Sequence, residues 1–540
     1  MSHFKERELF FLVPPDSSDG ERARIDEMMD VLESSDVWRI VDDSGYKDSP
    51  MGRSSYDQYN MLAMIIYCFA MRKGTLREME ELCRYDLRVM YIMNNEAPSH
   101  KTISEYINNV IAPNRHRLFG CITEAIGRRL RLDLSVHYLD GTKIEANANK
   151  YKFVWKPRKR HDMLDLKVRT FLSEINVSEA MPDGHVKSST LFSAIKSFRS
   201  IAGLGTETIR TGKGVRLTRE QRLCVTGEKL LAKLLEYEEQ ERICGPFRNS
   251  YYKTDHDATA MALKTDYYSG HGSNMHAAYN VQFLVSAGIV TMFGVFQDRS
   301  DYYTFVPLLE KYRQIHGRLP ENLCSDSGYG VFINYSYVEE HGIGNYIKPL
   351  SWNGEASGKN PQMFFVDETN VVKCRNGAVG EPVPFDANHQ KSAGSVRYRF
   401  SGCLSCGFAW KCKEKLKDKS LNSRLFDVNI EYERQKERAR NNLRSTEGIE
   451  IRVNRSIQAE GSFGQLKQNM SYVRFRRRGL DKTETEIMLM ALGVNIRKLF
   501  HHCFSKAVSS RYWKVPDNVK AEVFPSPKSK KRGCYENLIS

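Results

Sequence analysis

The sequence predicts an α/β protein: a mixed sheet with flanking helices, interrupted by two insertions and preceded by an all-α N-terminal unit. Three observations lead there. Val136, Tyr138, Asp140, Thr142 and Ile144 fall at every second position of one segment, the period of a strand. From Tyr279 the chain runs through strand YNVQFLV, strand GIVTMFGVF, a helical stretch at 302–314, strand 322–326 and strand NYIK at 345–348. Up to about residue 130 the pattern is helical. A chain of 540 residues is too long for one core and divides into about three units on a prior of about 150 residues each.

Taken in order, the first unit (1–130) carries two capping-box spacings, Thr75 with Glu78 and Thr102 with Glu105, which mark two helix starts around the turn NNEAPSHK. That layout fits a helix-turn-helix; the competing reading is a helical scaffold packed on the next domain. The longest apolar run, MLAMIIYCFAM at 61–71, is too short to span a bilayer and reads as a core helix. The N-terminus lacks the basic, apolar and small-residue pattern of a signal peptide, so the expected location is cytoplasmic, with no membrane partner. The second unit (131–500) holds the sheet. A basic insertion at about 157–250 interrupts it, where Leu164, Val168, Leu172 and Ile175, then Leu230, Leu231, Leu234 and Leu235, predict an antiparallel helical pair. A second insertion occupies about 350–440, and residues 501–540 form a basic tail.

Three acids stand out by placement. Asp140 would project from the sheet surface, where an unpaired carboxylate costs several kcal/mol or so and calls for a cation. Asp326, in NLCSDSGYG (322–330), ends a short apolar strand and faces the crevice in which open α/β sheets bind ligands. Glu460 lies in SIQAEGSFGQLK (456–467), where Ile457, Phe463, Leu466 and Met470 recur at helical spacing as a buried stripe. Lys467 falls two turns further along the side of Glu460.

Four blocks, DGTKIEANANKYKF, TDHDATAMALKTDYYSGHGSNMHAAYNVQ, SDSGYG and AEGSFGQLKQNMSYVRFRRRG, give the chain its resemblance to the DDE transposases of bacterial insertion sequences, whose catalytic fold is ribonuclease-H-like. The resemblance implies an enzyme that binds the ends of a mobile element, hydrolyses a phosphodiester there to free a 3′-hydroxyl, and joins that end to target DNA. It implies Asp140, Asp326 and Glu460 as catalytic residues holding two Mg²⁺ (or Mn²⁺) ions, with Asp140 bridging both. Hard ions choose carboxylate oxygen, and a pair about 3.5 to 4 Å apart serves both the attacking and the leaving oxygen. It further implies double-stranded DNA partners, terminal inverted repeats and target, and a homodimer in the DNA complex. The N-terminal unit resembles the family's domain for terminal-repeat binding. Related transposases carry a Tyr seven residues before the glutamate, an Arg four before it and a Lys seven after it; here those positions are Val453, Ser456 and Lys467, with Arg455 one residue beyond the Arg position.

Charge agrees with a polyanion partner. Eighty-one Lys and Arg against 66 Asp and Glu leave +15, and DNA affinity grows with each phosphate neutralised. The densest runs are KPRKR (156–160), RFRRR (474–478) and PKSKKR (527–532). The second follows Glu460, which makes Arg474, Arg476, Arg477 and Arg478 DNA-binding candidates beside Arg455 and Lys467. In the second insertion Cys374, Cys403, Cys406 and Cys412 offer four thiolates, two of them as C-x2-C, for a structural Zn²⁺; four ordinary thiols are the alternative, and His389 could replace one ligand. Trp352 follows the NYIK strand and is a candidate for stacking a flipped base, ahead of Trp410. Two other functions stay open on sequence alone: a stand-alone metal-dependent endonuclease or resolvase, and a DNA-binding repressor whose catalytic domain has decayed.

Overall fold

The computed structural model describes residues 15–46, 55–176, 183–205, 207–263, 275–357, 362–385, 394–414, 416, 418–469 and 472–504. The C-terminal run PKSKKR, His389 and Met470 lie outside them.

The centre is a six-stranded mixed sheet: β1 (Val136–Glu145), β2 (Thr259–Ala262), β3 (Met275–Ser286), β4 (Ile289–Phe296), β5 (Asn322–Ser325) and β6 (Gly344–Ile347). β3 pairs antiparallel with β1 and with β4, and at its start with β2; β1 then pairs parallel with β5, and β5 with β6. The antiparallel half is joined by the two-residue turn Ala287–Gly288, both at positive φ, as a tight hairpin requires. The parallel half needs crossovers, and the helices Phe305–His316 and Phe332–Glu340 supply them. Setting aside the short β2, three antiparallel strands, a helix, a strand, a helix and a strand follow the ribonuclease-H-like order expected from sequence.

Each face of the sheet is covered for an identifiable reason. Leu139, Leu284, Met292 and Leu323 pack against Phe305, Leu308, Tyr335 and Val338 of the crossover helices. On the other face, Val281, Phe283, Val285, Ile289 and Phe293 share one core with the N-terminal helices and with the long helix Leu480–Phe504. The apolar run of the N-terminal unit is there too: in helix Gln58–Ala70 every residue from Asn60 onward is buried, each large apolar side chain stabilising the fold by about 1.5–3 kcal/mol. The N-terminal helices are therefore not an independent module. They complete the core of the sheet, as the scaffold reading requires.

Local starts follow capping chemistry, with one correction. Thr75 and Glu78 form the expected reciprocal box. The other helix begins at His100, because Ser99 caps it by accepting from the N–H of Thr102; Thr102 sits inside the first turn and no box forms with Glu105. A further helix, Leu87–Met93, lies between the two. The basic insertion holds three helices rather than a pair, Arg158–Glu174, Ser188–Ile201 and Arg219–Cys244, around a core of their own. Leu164, Val168, Leu172, Ile175 and Leu234 are buried in it, whereas Leu235 points to solvent. The second insertion is two small antiparallel sheets. It ends earlier than the sequence suggests, since helix Ile430–Arg444 already packs on β6 and on Phe332–Glu340.

Candidate active site

Strand register brings the two aspartates together. The parallel ladder between β1 and β5 ends at the pair Leu139 and Ser325. One residue further along come Asp140, still in β1, and Asp326, which follows the end of β5 and caps the turn Ser327–Tyr329. Asp326 is fixed by its own turn, its Oδ1 accepting from the N–H of Gly328 at 2.9 Å. Asp140 Oδ1 accepts from the N–H of Gly141 at 2.9 Å. Gly141 is a steric necessity: a Cβ there would lie 2.1 Å from Nε2 of Gln282, its cross-strand partner.

Glu460 reaches the same place by another route. Helices Ile430–Arg444 and Thr446–Arg455 run under the parallel strands, where Leu443, Ile451 and Ala459 pack on Tyr138, Cys324 and Tyr346. Ser445 caps the second helix by accepting from the N–H of Gly448. The chain then widens into a π-turn at Ser456–Glu460, and Gln458 pins it to the sheet by accepting from the N–H of Gly288 at 3.0 Å. The wider turn corrects the sequence reading of this segment. Phe463 and Leu466 are buried as expected, but Ile457 is 52 % exposed and Gln458 and Ala459 face inward instead. A turn closed by i→i+5 bonds shifts the phase of every side chain after it, and such turns gather at functional sites.

The same π-turn gives Arg455 its position. Five residues before Glu460, it places Nη2 3.4 Å from Glu460 Oε1 and Nη1 3.9 Å from Asp140 Oδ1. One guanidinium thus lies between two of the three acids, although the Arg stands a residue away from the family's usual position. Its side chain is 9 % exposed, and Nε and Nη1 have no hydrogen-bond acceptor. Lys348, just past β6, completes the positive side; burial and the Arg455 guanidinium hold its ammonium below the usual lysine range.

A fourth carboxylate was not foreseen. Asp301, after β4, accepts through Oδ1 from Asn280 Nδ2 at 2.7 Å and Gln282 Nε2 at 3.2 Å. Gln282 Oε1 in turn accepts from the hydroxyl of Tyr329. Burial pushes the Tyr329 phenol well above its ordinary value, and Asp301, Asp140 and Asp326 push it further, so the phenol stays a proton donor beneath the acids. The sequence did carry the signal: Asn280 and Gln282 are polar side chains within an apolar strand, both fully buried. Such groups need partners.

Among the described residues, no three His, Cys, Asp or Glu side chains stand at metal-holding spacing. The donor chemistry nonetheless fits a hard divalent cation, with two aspartates on neighbouring strands and Glu460 59 % exposed at its side chain and free to turn. The four cysteines of the second insertion converge more loosely. Cys374, Cys403, Cys406 and Cys412 line one small cavity with Phe400, Phe408 and Phe426, and Cys406 Sγ accepts from the N–H of Phe408 at 3.4 Å. Burial raises the Cys403 and Cys412 thiols, and the neighbouring thiols raise them further.

The basic candidates divide by geometry. Lys467 Nζ donates to the Lys143 carbonyl at 3.2 Å. In RFRRR, Phe475 is buried while Arg474 and Arg478 reach the carbonyls of Ala148 and Asn147. The N–H groups of Arg476 and Arg477 are held by Glu486. Trp352 is half-buried, with the guanidiniums of Arg452 and Arg444 5.4 and 6.0 Å from its ring centre. Trp410 is 75 % exposed.

The mixed sheet with flanking helices behind a helical N-terminal unit is consistent with a ribonuclease-H-like DDE domain. A family model described as "Transposase DDE domain" matches residues 374–500, and one described as "Transposase domain (DUF772)" matches residues 12–109. Together the two matches support a DDE transposase of an insertion sequence. The first match contains Glu460 and the four cysteines; Asp140 and Asp326 lie outside it. No curated protein matches the chain. Among the described residues, no helix is long and apolar enough to cross a membrane.

Proposed function

We propose that this transposase binds the ends of its insertion sequence as double-stranded DNA, cuts the strands there and joins them to target DNA, with Asp140, Asp326 and Glu460 as its catalytic acids. The observation that carries the reading is the register: the pair Leu139 and Ser325 sets Asp140 beside Asp326, and Arg455 ties Glu460 to Asp140. These three carboxylates would hold Mg²⁺ or Mn²⁺, which when bound supplies an activated oxygen nucleophile and a stabilised leaving oxygen. The chain's own groups do the positioning. Asn280, Gln282 and Tyr329 fix the floor of the site and keep it a hydrogen-bonded, water-poor surface. Arg455, buried between Asp140 and Glu460, neutralises them. Lys467, Arg474, Arg476, Arg477 and Arg478 carry the duplex backbone, and Trp352, beside the guanidiniums of Arg444 and Arg452, offers a ring to a flipped base. In the second insertion the four thiols would hold a structural Zn²⁺ if drawn closer together; their common cavity supports that part, and elemental analysis finding no zinc removes it. The protein acts as a homodimer in the cytoplasm.

The test is incubation with a labelled element end and a target plasmid under Mg²⁺. Joined products are expected. Cuts without joining would replace the reading with a nuclease, and a gel shift without either would replace it with a repressor. Replacing Asp140, Asp326 or Glu460 with Ala should remove cutting and leave end binding nearly intact, because affinity comes from the basic surface.

A further inference from the structure

The strand that carries Asp140 leads into a surface that the catalytic acids do not use. After Ala148 the chain turns, and the short strand Phe153–Trp155 pairs antiparallel with Ser250–Tyr252, a two-stranded ribbon at the base of the helical insertion. Tyr151, Phe153 and Trp155 fall at every second position, and they are 80, 45 and 45 % exposed. Phe247, in the turn that enters the second strand, is 90 % exposed. Exposed aromatic rings gathered in this way mark an interaction site.

Charge identifies the occupant. Residues 146–161 contain no acid and six cations: Lys150, Lys152, Lys156, Arg158, Lys159 and Arg160. Lys156 and Arg158 are tied to Gly245 O and Asn249 Oδ1, which braces the ribbon against the helical insertion. The surface is continuous with the basic run after Glu460, since Arg474 and Arg478 hold the carbonyls of Ala148 and Asn147. Rings interleaved with cations are what single-stranded nucleic acid requires: each base stacks on a ring and each phosphate meets a charge. Phe153 and Trp155 meet edge to face at 5.7 Å, which leaves each ring one outward face for a base.

We propose that the Phe153–Trp155 strand is a stacking platform for unpaired nucleotides of the DNA strand at the catalytic site. The platform rests on the DNA reading above and adds to it a preference for frayed or single-stranded ends. The test compares the whole protein with the double variant Phe153→Ala/Trp155→Ala and with Trp155→Phe, measuring fluorescence anisotropy on oligothymidylate and on a blunt duplex, with sedimentation and thermal unfolding of each. The double variant should lose about tenfold or more in affinity for the single strand and little for the duplex, while Trp155→Phe, which keeps a ring, retains most of it. Equal affinity of the double variant and the parent for the single strand overturns the platform. So does a matched loss on both DNAs, or a parent dimer that the double variant dissociates, which would make the face a contact between two copies of the chain. A parent that binds neither DNA instead removes the DNA reading itself.

Discussion

The two aspartates and the glutamate are held by different physics. Asp140 and Asp326 project from adjacent strands whose register is set by hydrogen bonds and by the buried side chains on either face. Glu460 stands on a π-turn, exposed, with the guanidinium of Arg455 3.4 Å from its Oε1. Two acids are therefore held by the sheet, and the third stands on a π-turn that Gln458 joins to it. A strand slips only by flipping every side chain to the other face. A π-turn changes phase by gaining or losing one residue.

The largest expected effect belongs to the rigid pair. Asp140→Asn or Asp326→Asn keeps the shape and, for Asp326, an acceptor for the Gly328 N–H, but removes a hard ligand. Cleavage of a labelled end should fall by about a thousandfold or more, since metal stabilisation of the transition state amounts to several kcal/mol and each decade takes about 1.36 kcal/mol. Melting temperature should stay level or rise slightly, because one of the negative charges around Tyr329 is gone. A fall in cleavage below about tenfold would mean that the sheet half does not carry the chemistry.

Next comes the support of that half. Glu484, on the helix behind the antiparallel strands, is buried yet accepts from Lys311 Nζ at 2.6 Å and Arg115 Nε at 3.1 Å, with His116 Nε2 at 3.7 Å. Burial pushes its carboxyl up, but His116 and Lys311 outweigh burial and bring it to about 2. A folded value below the ordinary 4.5 stabilises the fold above that ordinary value, and the contribution is lost as pH falls from about 4.5 through about 2. Its size is about 3 kcal/mol at 1.36 kcal/mol per unit. Denaturant titrations at pH 7 and pH 3 should show Glu484→Gln costing most of that at the higher pH and much less at the lower; equal costs would show that the carboxylate's charge is irrelevant.

This contrast also explains what the sequence could and could not reveal. The strands were legible because alternation and short apolar runs are local signals; Asp140 interrupts the first in mid-strand and Asp326 follows the end of the second. The Thr75 box was legible for the same reason, whereas Ser99 was passed over because a single hydroxyl cap competes with many similar residues. The phase of Ile457 could not be read, since helical spacing assumes 3.6 residues per turn and the π-turn breaks that assumption. Arg455 looked displaced for the same reason, and the displacement is what puts it between Asp140 and Glu460. Asp301 stayed hidden because its partners, Asn280 and Gln282, are brought to it by sheet pairing rather than by nearness in sequence.

Arg455→Gln sharpens the comparison at the join between the two halves. It leaves a polar side chain and removes the cation, so Asp140 and Glu460 repel each other more and a divalent ion is favoured. Mn²⁺ affinity, read by titration of the electron-paramagnetic signal, should increase about tenfold, roughly 1.4 kcal/mol, while the salt slope of end binding falls by about 0.9 if the guanidinium also meets one phosphate. Unchanged Mn²⁺ affinity would show that Arg455 and the metal do not compete for the same carboxylates.

The smallest effect tests the join of the π-turn to the sheet. Gln458 is 7 % exposed and accepts from the N–H of Gly288, the hairpin turn of the antiparallel strands. Gln458→Ala leaves that N–H without its partner, at a cost of about 1–3 kcal/mol where no water replaces it. The hydrogen bond touches none of the acids, so a purely structural role predicts a lower melting temperature and normal cleavage. If the bond sets where Glu460 stands, cleavage falls further than stability does, and the metal concentration for half-maximal rate rises, because the ion must now bring in a carboxylate that the sheet no longer aims. Asp326→Glu, which lengthens a ligand on the rigid side, should not be relieved by extra metal in this way. Equal response of the two variants to metal would mean that both halves of the site are equally fixed.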